Sequence, residues 1–276
     1  MSYYPINIEQ ALIKECTRRR YSERTIKTYL YCINRFLKFT GKTIDKISKK
    51  DVRLFLEHLS EKNRAGNTMN VYHMAIRFLF EDILNKRIWI DIKYSKVPEK
   101  LPIFLSKEEI KKLFGSIENS KHKIMIQLMY GAGLRVSELI NLKKEDLELD
   151  NGYGFVRHGK GNKDRLFLIA ENLKEDIKNL MMGTQDSEYL FTSIQNKKYN
   201  IRTLQQIIKN ATKKAGITKK VSCHTLRHSF ATHLVENGNS ISEIQALLGH
   251  KSPETTFIYL HSSGKMVNTK SPFDSL

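Results

Sequence analysis

The chain is organised around residues 223–234, which read Cys-His-Thr-Leu-Arg-His-Ser-Phe-Ala-Thr-His-Leu. Apolar residues recur here at positions i, i+4, i+5 and i+8, and this spacing predicts a helix between Ser222 and Gly238. His224 and Arg227 are three residues apart, so they share one face near the start of that helix. Because unpaired backbone N–H groups at a helix start favour anions, these two side chains mark a candidate anion site.

The segment that follows carries two more candidate residues. Ser240 and Glu243 have the spacing of a capping box, which predicts the start of a second helix, and Gly249 has the position of its left-handed C-cap. His250 follows that cap directly. A third, short helix is predicted to begin at a Ser-Pro pair just beyond it, and this helix carries Tyr259.

Metal and thiol chemistry are the first alternatives for this stretch. His224 and His228 have the His-x-x-x-His spacing of helical zinc ligands. Thr225 occupies the position where a zinc hydrolase has its glutamate base, and Arg227 between the two ligands would repel a dication, so metal binding is disfavoured. Cys223 lacks the third, orienting group of a nucleophilic thiol. Taken singly, each histidine fits an ordinary helix position better than a catalytic one.

The composition points to a polyanionic partner. The chain has 276 residues, with 47 Lys or Arg against 29 Asp or Glu, and a formal net charge of +18. This balance favours nucleic acid as that partner. A membrane surface is disfavoured, because neither a lipidation motif nor a long apolar run accompanies the charge. Cys16, Cys32 and Cys223 show no paired spacing and no apolar leader opens the sequence, so we expect a reduced, cytoplasmic protein.

Length and helix signals predict two domains joined by a linker. Residues 1–93 are expected to form a unit of four helices. The residues expected to start these helices are Asn7, Ser22, Ser48 and Asn67 or Thr68. Residues 94–102 contain two prolines and no helical period, which predicts the linker. Residues 103–276 are expected to form the second domain, with a tail from about residue 262.

Two further expectations concern the first domain. The apolar residues expected to face inward from its fourth helix are Val71, Met74, Ala75, Phe78 and Leu79. The basic residues that are either phosphate contacts or a solvated charge run are Arg18, Arg19, Arg20, Lys49, Lys50 and Arg77. The sequence pattern does not separate these two interpretations.

The second domain opens with a capping box at Ser106 and Glu109 and continues into an apolar helix over residues 124–130. A Gly-Ala-Gly sequence comes next. Because these glycines follow a helix and not a strand, dinucleotide binding is excluded. We expect them to bend the chain so that Arg135 is held inward, with Glu138 as a partner.

A β-hairpin is predicted farther along this domain. Its strands are residues 153–157 and 165–169, which have the composition and length of short strands. The glycine-rich turn between them presents Lys160. A lysine in such a turn is more often solvated than catalytic, so a role for Lys160 depends on the residues that accompany it.

Three of the candidate residues, Arg135, Arg227 and Tyr259, suit the cleavage of a phosphodiester without a metal. Arg135 and Arg227 can each donate two hydrogen bonds to the non-bridging oxygens of a pentacoordinate phosphorane. Tyr259 is the candidate nucleophile, because a phenol leaves readily and its phosphate ester keeps the bond energy for rejoining. Together they predict a reversible strand-cutting reaction.

Three more side chains complete the proton transfers. His224 can take or hold the phenolic proton, and His250 can donate to a non-bridging oxygen. Lys160 can protonate the departing 5′ oxygen. Each group of this kind is typically worth about 10²–10³ in rate.

This set of residues resembles the catalytic residues of the tyrosine recombinases, and five motifs are similar to those of the Xer branch, in the same order. Four of them flank the central stretch: Gly-Leu-Arg-Val-Ser-Glu-Leu at 133–139, Gly-Lys-Gly-Asn-Lys-Asp-Arg at 159–165, Leu-Leu-Gly-His at 247–250 and Thr-Thr-Phe-Ile-Tyr at 255–259. The resemblance covers nearly the whole chain. The chain length and the lack of arm-type extensions are similar to those of stand-alone, archaeal-type Xer enzymes.

The resemblance implies a mainly α fold, with an N-terminal four-helix, SAM-like core-binding domain and an α+β catalytic domain that holds a small antiparallel sheet. The catalytic residues that it implies are Arg135, Lys160, His224, Arg227, His250 and the nucleophile Tyr259. It implies no metal or nucleotide cofactor. It also implies that the domains close around duplex DNA, that a homo-tetramer exchanges strands through a Holliday junction, and that the tail docks on a neighbouring subunit. The free protein is expected to be a monomer or dimer.

Several biological roles share this chemistry. Resolution of chromosome or plasmid dimers at a Xer-type site is the main expectation, and a mobile-element integrase would use every one of the same residues. A type IB topoisomerase would relax supercoils as a monomer without joining two sites. A non-catalytic DNA-binding protein would keep the basic charge but would not need Tyr259 and both arginines.

Overall fold

The computed structural model describes residues 8–86, 92–98, 101–157, 164–183, 187–193 and 197–249. The chain divides into two compact units, Met1–Glu99 and Lys100–Leu276. The described residues are mainly helical and include a small antiparallel sheet in the second unit, so the predicted fold class is confirmed. None of the helices in these ranges is both long and apolar enough to cross a bilayer.

The described part of the first unit is built from short helices around one apolar core. The α-helices are α1 (Ile8–Arg18), α2 (Glu23–Thr40), α3 (Lys49–Glu61) and α4 (Gly66–Arg77). A π-helical segment, Phe78–Ile83, continues α4 directly. The helix boundaries follow local chemistry. Ser22 accepts a hydrogen bond from the Thr25 N–H, as predicted, and Gly41 ends α2 in the left-handed conformation.

The predictions for α4 are wrong in two respects. The helix begins at Gly66 and not at Asn67 or Thr68, and Met74, expected to face inward, is 41% exposed. The buried side chains in its place include His73. His73 is buried because a distant segment covers it: the ring centroid of Tyr94 lies 4.5 Å from that of His73.

The first residues of the predicted linker pack against α4. Ser95 donates its N–H to the side-chain oxygen of Asn70 at 2.8 Å and accepts a hydrogen bond from the Asn70 amide at 3.0 Å. A Cβ atom at Gly66 would lie only 2.9 Å from the carbonyl oxygen of Lys96, so glycine permits this close approach. The segment therefore helps to define the start of α4.

Three of the basic residues proposed as phosphate contacts form ion pairs within the first unit. Arg18 pairs with Glu15 at 2.6 Å, Arg19 with Asp82 at 2.5 Å and Arg77 with Glu81 at 2.6 Å. All three arginines keep solvent access. Exposed pairs of this kind are weak and screened by salt, so a phosphate can replace the carboxylate.

The second unit surrounds a sheet with helices. The helices are α5 (Lys107–Gly115), α6 (Ser120–Gly131), α7 (Val136–Ile140), α8 (Glu171–Met182), α9 (Ile201–Lys214), α10 (Cys223–Glu236) and α11 (Ile241–Leu248). The strands are β1 (Leu147–Glu148), β2 (Tyr153–Val156) and β3 (Arg165–Leu168), all antiparallel in the order β1-β2-β3. The pairing of β2 with β3 confirms the predicted hairpin, whereas β1 was not predicted. The turn that carries Lys160 lies outside the described residues.

Helix α10 is the centre of the second unit. Leu226 and Ala231 are fully buried, and so are the polar residues Ser229 and Thr232. A buried polar side chain needs a partner. Ser229 provides one example, since its hydroxyl accepts a hydrogen bond from the N–H of Leu105 at 2.9 Å and donates to a carbonyl of its own helix. Most side chains of this helix are buried, which suits a scaffold for reactive groups.

Candidate active site

Arg135 lies at the N-cap of α7, immediately after a left-handed turn at Gly133 with φ of 58°. The carboxylate of Glu138 accepts hydrogen bonds from the Arg135 backbone N–H at 2.8 Å and from its Nη1 at 2.7 Å. One side chain therefore both caps the helix and orients the guanidinium group. The predicted bend at the glycines and the predicted partner of Arg135 are confirmed.

Arg227 is buried in α10 and joins two other parts of the site. Its Nη1 donates to the carbonyl oxygen of Gly133 at 2.5 Å, and its Nη2 donates to that of Leu248 at 2.5 Å. The first bond ties α10 to the turn that precedes Arg135. The second ties it to Leu248, the last residue of α11. The C-cap of that helix is Gly249, with φ of 63°. Arg135 and Arg227 are thus brought together by backbone geometry.

His224 lies in the first turn of α10 and is exposed, one turn before the buried Arg227. Its ring centroid is 6.5 Å from that of His228. Burial, together with the nearby His224 and Arg227, lowers the pKa of His228 to about 4. At neutral pH His228 is therefore uncharged, while the first turn of α10 presents His224 to solvent.

The predicted residues Lys160, His250 and Tyr259 lie outside the described residues, so their place in the site stays a prediction. In the described ranges, no three His, Cys, Asp or Glu side chains are grouped as a metal site would require. The structure brings together Arg135, Arg227 and the first turn of α10.

A buried hydrogen bond behind the site was not predicted. The hydroxyl oxygen of Tyr130 lies 2.8 Å from Nδ1 of His233, which joins the last turns of α6 and α10. Burial raises the pKa of Tyr130 to about 12 and lowers that of His233 to about 4, so both groups are neutral at neutral pH. This pair holds together α6, which ends shortly before Arg135, and α10, which contains Arg227.

Substitution of Gly133 should disturb this geometry strongly. A Cβ atom there would lie 2.5 Å from the ring of Phe230 and 3.0 Å from Leu248, and the positive φ is itself strained for alanine. We expect Gly133→Ala to lower the free energy of unfolding by roughly 3 kcal/mol or more, combining left-handed strain with overpacking. Urea denaturation measures this loss.

The matched control is Gly216→Ala, because Gly216 also has a positive φ, of 67°, but nothing lies within 4 Å of its Cβ position. We expect this variant to lose only about 1–2 kcal/mol, from backbone strain alone. Similar losses in both variants would show that the packing of Phe230 against the turn is unimportant.

The comparisons with known proteins cover both units of the chain. Residues 103–266 match the phage integrase family, and residues 8–90 match the N-terminal SAM-like domain of phage integrases. The chain is 39% identical over 246 residues to tyrosine recombinase XerA of Thermococcus kodakarensis, covering 86% of this chain and 84% of that protein. The predicted SAM-like N-terminal domain and the resemblance to tyrosine recombinases are confirmed.

Two solved structures show the same similarity. A crystal structure of XerA recombinase is 33% identical, with a TM-score of 0.55 over 92% of this chain and 93% of that chain. A structure of the XerH site-specific recombinase, bound to palindromic difH substrate in a post-cleavage complex, is 25% identical, with a TM-score of 0.74 over 93% and 82%. The chain therefore belongs to the phage integrase family, the tyrosine recombinases.

Proposed function

We propose that this protein is a site-specific recombinase that acts in the cytoplasm and resolves dimers of a chromosome or plasmid. It cleaves duplex DNA through a 3′-phosphotyrosyl intermediate and rejoins the strands in a new combination. Relatives of the Xer branch, among them a XerH that is seen bound to its recombination substrate, support the assignment to a specific DNA site. The formal net charge of +18 supports duplex DNA as the partner.

The observation that carries this proposal is the double hydrogen bond of Arg227. By donating to Gly133 and Leu248, Arg227 fixes the turn before Arg135 and the end of α11 on either side of α10. Two guanidinium groups held in this way form a rigid, positively charged site. A site that is already organised before the phosphate arrives loses little free energy to reorganisation during the reaction.

The proposed reaction is a pair of transesterifications. The phenolic oxygen of Tyr259 attacks the scissile phosphorus, a new phosphotyrosyl bond forms on the 3′ side, and the bond to the 5′ oxygen breaks. His224 takes the phenolic proton and Lys160 supplies one to the leaving oxygen. Arg135, Arg227 and His250 stabilise the phosphorane. Attack by the 5′ hydroxyl of a second duplex reverses these steps and frees Tyr259.

Exchange of all strands needs more than one protomer. Each protomer cleaves one strand, so two recombining duplexes require four active sites, and we propose a homo-tetramer that passes through a Holliday junction. The tail beyond residue 262 would dock on a neighbouring subunit. The free protein is proposed to be a monomer or dimer.

Covalent trapping tests this function. The purified protein is incubated, with excess EDTA, with a pool of duplexes that carry a nick near each candidate scissile bond, and covalently bound DNA is sequenced. We expect a protease-sensitive adduct enriched in one sequence, because the arginines supply the charge stabilisation without a metal. A plasmid with two copies of that sequence should recombine.

Two results would contradict the proposal in different ways. Adducts without sequence preference, together with relaxation of supercoils and no joining of two sites, would favour a topoisomerase. The absence of any adduct would favour a non-catalytic DNA-binding protein.

A further inference from the structure

A third arginine is buried beside the two arginines of the proposed site. Arg165 is the first residue of β3, and its side chain is only 9% exposed. Its Nη2 donates a hydrogen bond to Glu138 at 2.6 Å. The accepting oxygen, Oε2, also accepts the backbone N–H of Arg135, whereas Oε1 accepts the Arg135 side chain. Two guanidinium groups therefore share one carboxylate.

This sharing changes the charge that the site presents. A guanidinium paired one-to-one with a buried carboxylate is largely neutralised, and it attracts a phosphate weakly. With Arg165 as a second donor to Glu138, the cluster of two arginines and one glutamate keeps a net positive charge. Burial by itself would raise the pKa of Glu138, but Arg165, and then Arg135, hold it below its ordinary value, so the carboxylate stays ionised.

The side chain of Arg165 is also fixed at its other edge. A Cβ atom at Gly249 would lie 2.7 Å from Cδ and 3.2 Å from Nε of Arg165, so this side chain packs closely against the end of α11. Nε and Nη1 are buried and have no hydrogen-bond partner among the described residues. Buried donors without partners are costly and rare in native proteins, so each one calls for an explanation. Gly249 directly precedes the predicted catalytic residue His250.

We propose that Arg165 is a positioning residue for DNA cleavage, which shares Glu138 so that Arg135 keeps an uncompensated positive charge toward the scissile phosphate, and which fixes the end of α11 before His250. Arg165 also begins the strand that follows the turn of Lys160 in the sequence. This inference rests on the proposed function, since it concerns the same reaction.

The test compares Arg165→Met with Arg157→Met. Arg157 follows β2 on the same hairpin and pairs with the buried carboxylate of Asp146 at 3.1 Å, but it is 55% exposed. Both variants lose one arginine: Arg165→Met loses the ion pair with Glu138, and Arg157→Met loses the pair with Asp146 and a longer one with Asp164 at 3.7 Å. The substrate is a nicked duplex with the sequence identified by covalent trapping, and the protein is saturating. Under these conditions we expect Arg165→Met to slow adduct formation roughly 10–100-fold. Arg157→Met should stay within about threefold of the wild type.

A second substrate separates a charge effect from simple damage to the fold. In a methylphosphonate duplex, a methyl group replaces one non-bridging oxygen of the scissile phosphate and removes its charge. The wild type and Arg165→Met should form adducts on this duplex at rates within about threefold of each other, because less positive charge is needed. Arg165→Lys, which keeps a cation beside Glu138, should recover part of the lost rate on the normal duplex.

Equal slowing of Arg165→Met on both duplexes would mean that the residue only supports the fold, and it would overturn the inference. The same conclusion would follow if Arg165→Met and Arg157→Met reacted alike on the normal duplex while the wild type formed adduct. Failure of the wild type itself to form adduct on any duplex would overturn the proposed function, and this inference with it.

Discussion

Replacement of Tyr259 by phenylalanine should abolish the covalent adduct while leaving DNA binding unchanged. The substitution removes only the phenolic oxygen, which is the atom proposed to attack the phosphorus. On a duplex nicked near the scissile bond, the wild type should give a band that migrates slowly in a denaturing gel and disappears after protease treatment. Tyr259→Phe should bind the same duplex in a native gel and give no such band.

Three other tyrosines offer controls in the second unit. Tyr130 is a poor nucleophile, because its hydroxyl is bonded to His233 and burial raises its pKa to about 12. The hydroxyl of Tyr199 lies 3.3 Å from His122, and burial raises its pKa as well. We expect Tyr130→Phe, Tyr189→Phe and Tyr199→Phe to retain the adduct. A surviving adduct in Tyr259→Phe would identify the nucleophile as another residue and refute the mechanism.

Replacement of Arg227 by alanine should impair both the reaction and the fold, whereas replacement of Arg135 should impair mainly the reaction. Each loss removes a charge-assisted donor from the transition state, so adduct formation should slow by about 10²–10³ or more in both variants. Arg227→Ala also leaves the carbonyls of Gly133 and Leu248 without their donor. Its free energy of unfolding should fall by roughly 3 kcal/mol or more.

Arg135→Ala is the matched comparison, because its side chain is 20% exposed and its carboxylate partner keeps Arg165. We therefore expect a smaller loss of stability. The measurements are single-turnover cleavage at saturating protein and urea denaturation of both variants. Equal unfolding free energies would contradict the structural role of Arg227, and unchanged cleavage by either variant would contradict its part in the site.

Helix ends could be predicted from the sequence because capping is local. Ser22, Ser106 and Ser240 each accept a hydrogen bond from an N–H three residues later, so both partners lie within one short segment. The burial of His73 on α4 could not be predicted in this way, although Ala75, Phe78 and Leu79 are buried as predicted. It depends on Tyr94, which comes from a segment beyond the helix, and no periodicity within α4 contains that information.

The same distinction holds for the site. The pair of Arg135 with Glu138 was predictable, since the two residues are three positions apart. The bonds from Arg227 to Gly133 and from Arg165 to Glu138 span 94 and 27 residues, and only the folded chain shows them. From the sequence alone, Arg165 cannot be distinguished from an ordinary solvent-exposed arginine beside a polar turn. Only the structure shows that it is buried. The residue types were therefore enough to predict the chemistry of the site, whereas its charge balance depends on tertiary packing.

The burial of the three cysteines provides a way to follow unfolding. Alkylating reagents attack the thiolate, and burial raises the pKa of Cys32 to about 11 and also raises that of Cys16 and Cys223. All three are free thiols, so each becomes reactive only when its surroundings open. Cys16 and Cys32 belong to the first unit, whereas Cys223 begins the helix that carries Arg227. Mass spectrometry of the alkylated chain would therefore distinguish the opening of one unit from that of the other, using only the cysteines that the chain already has.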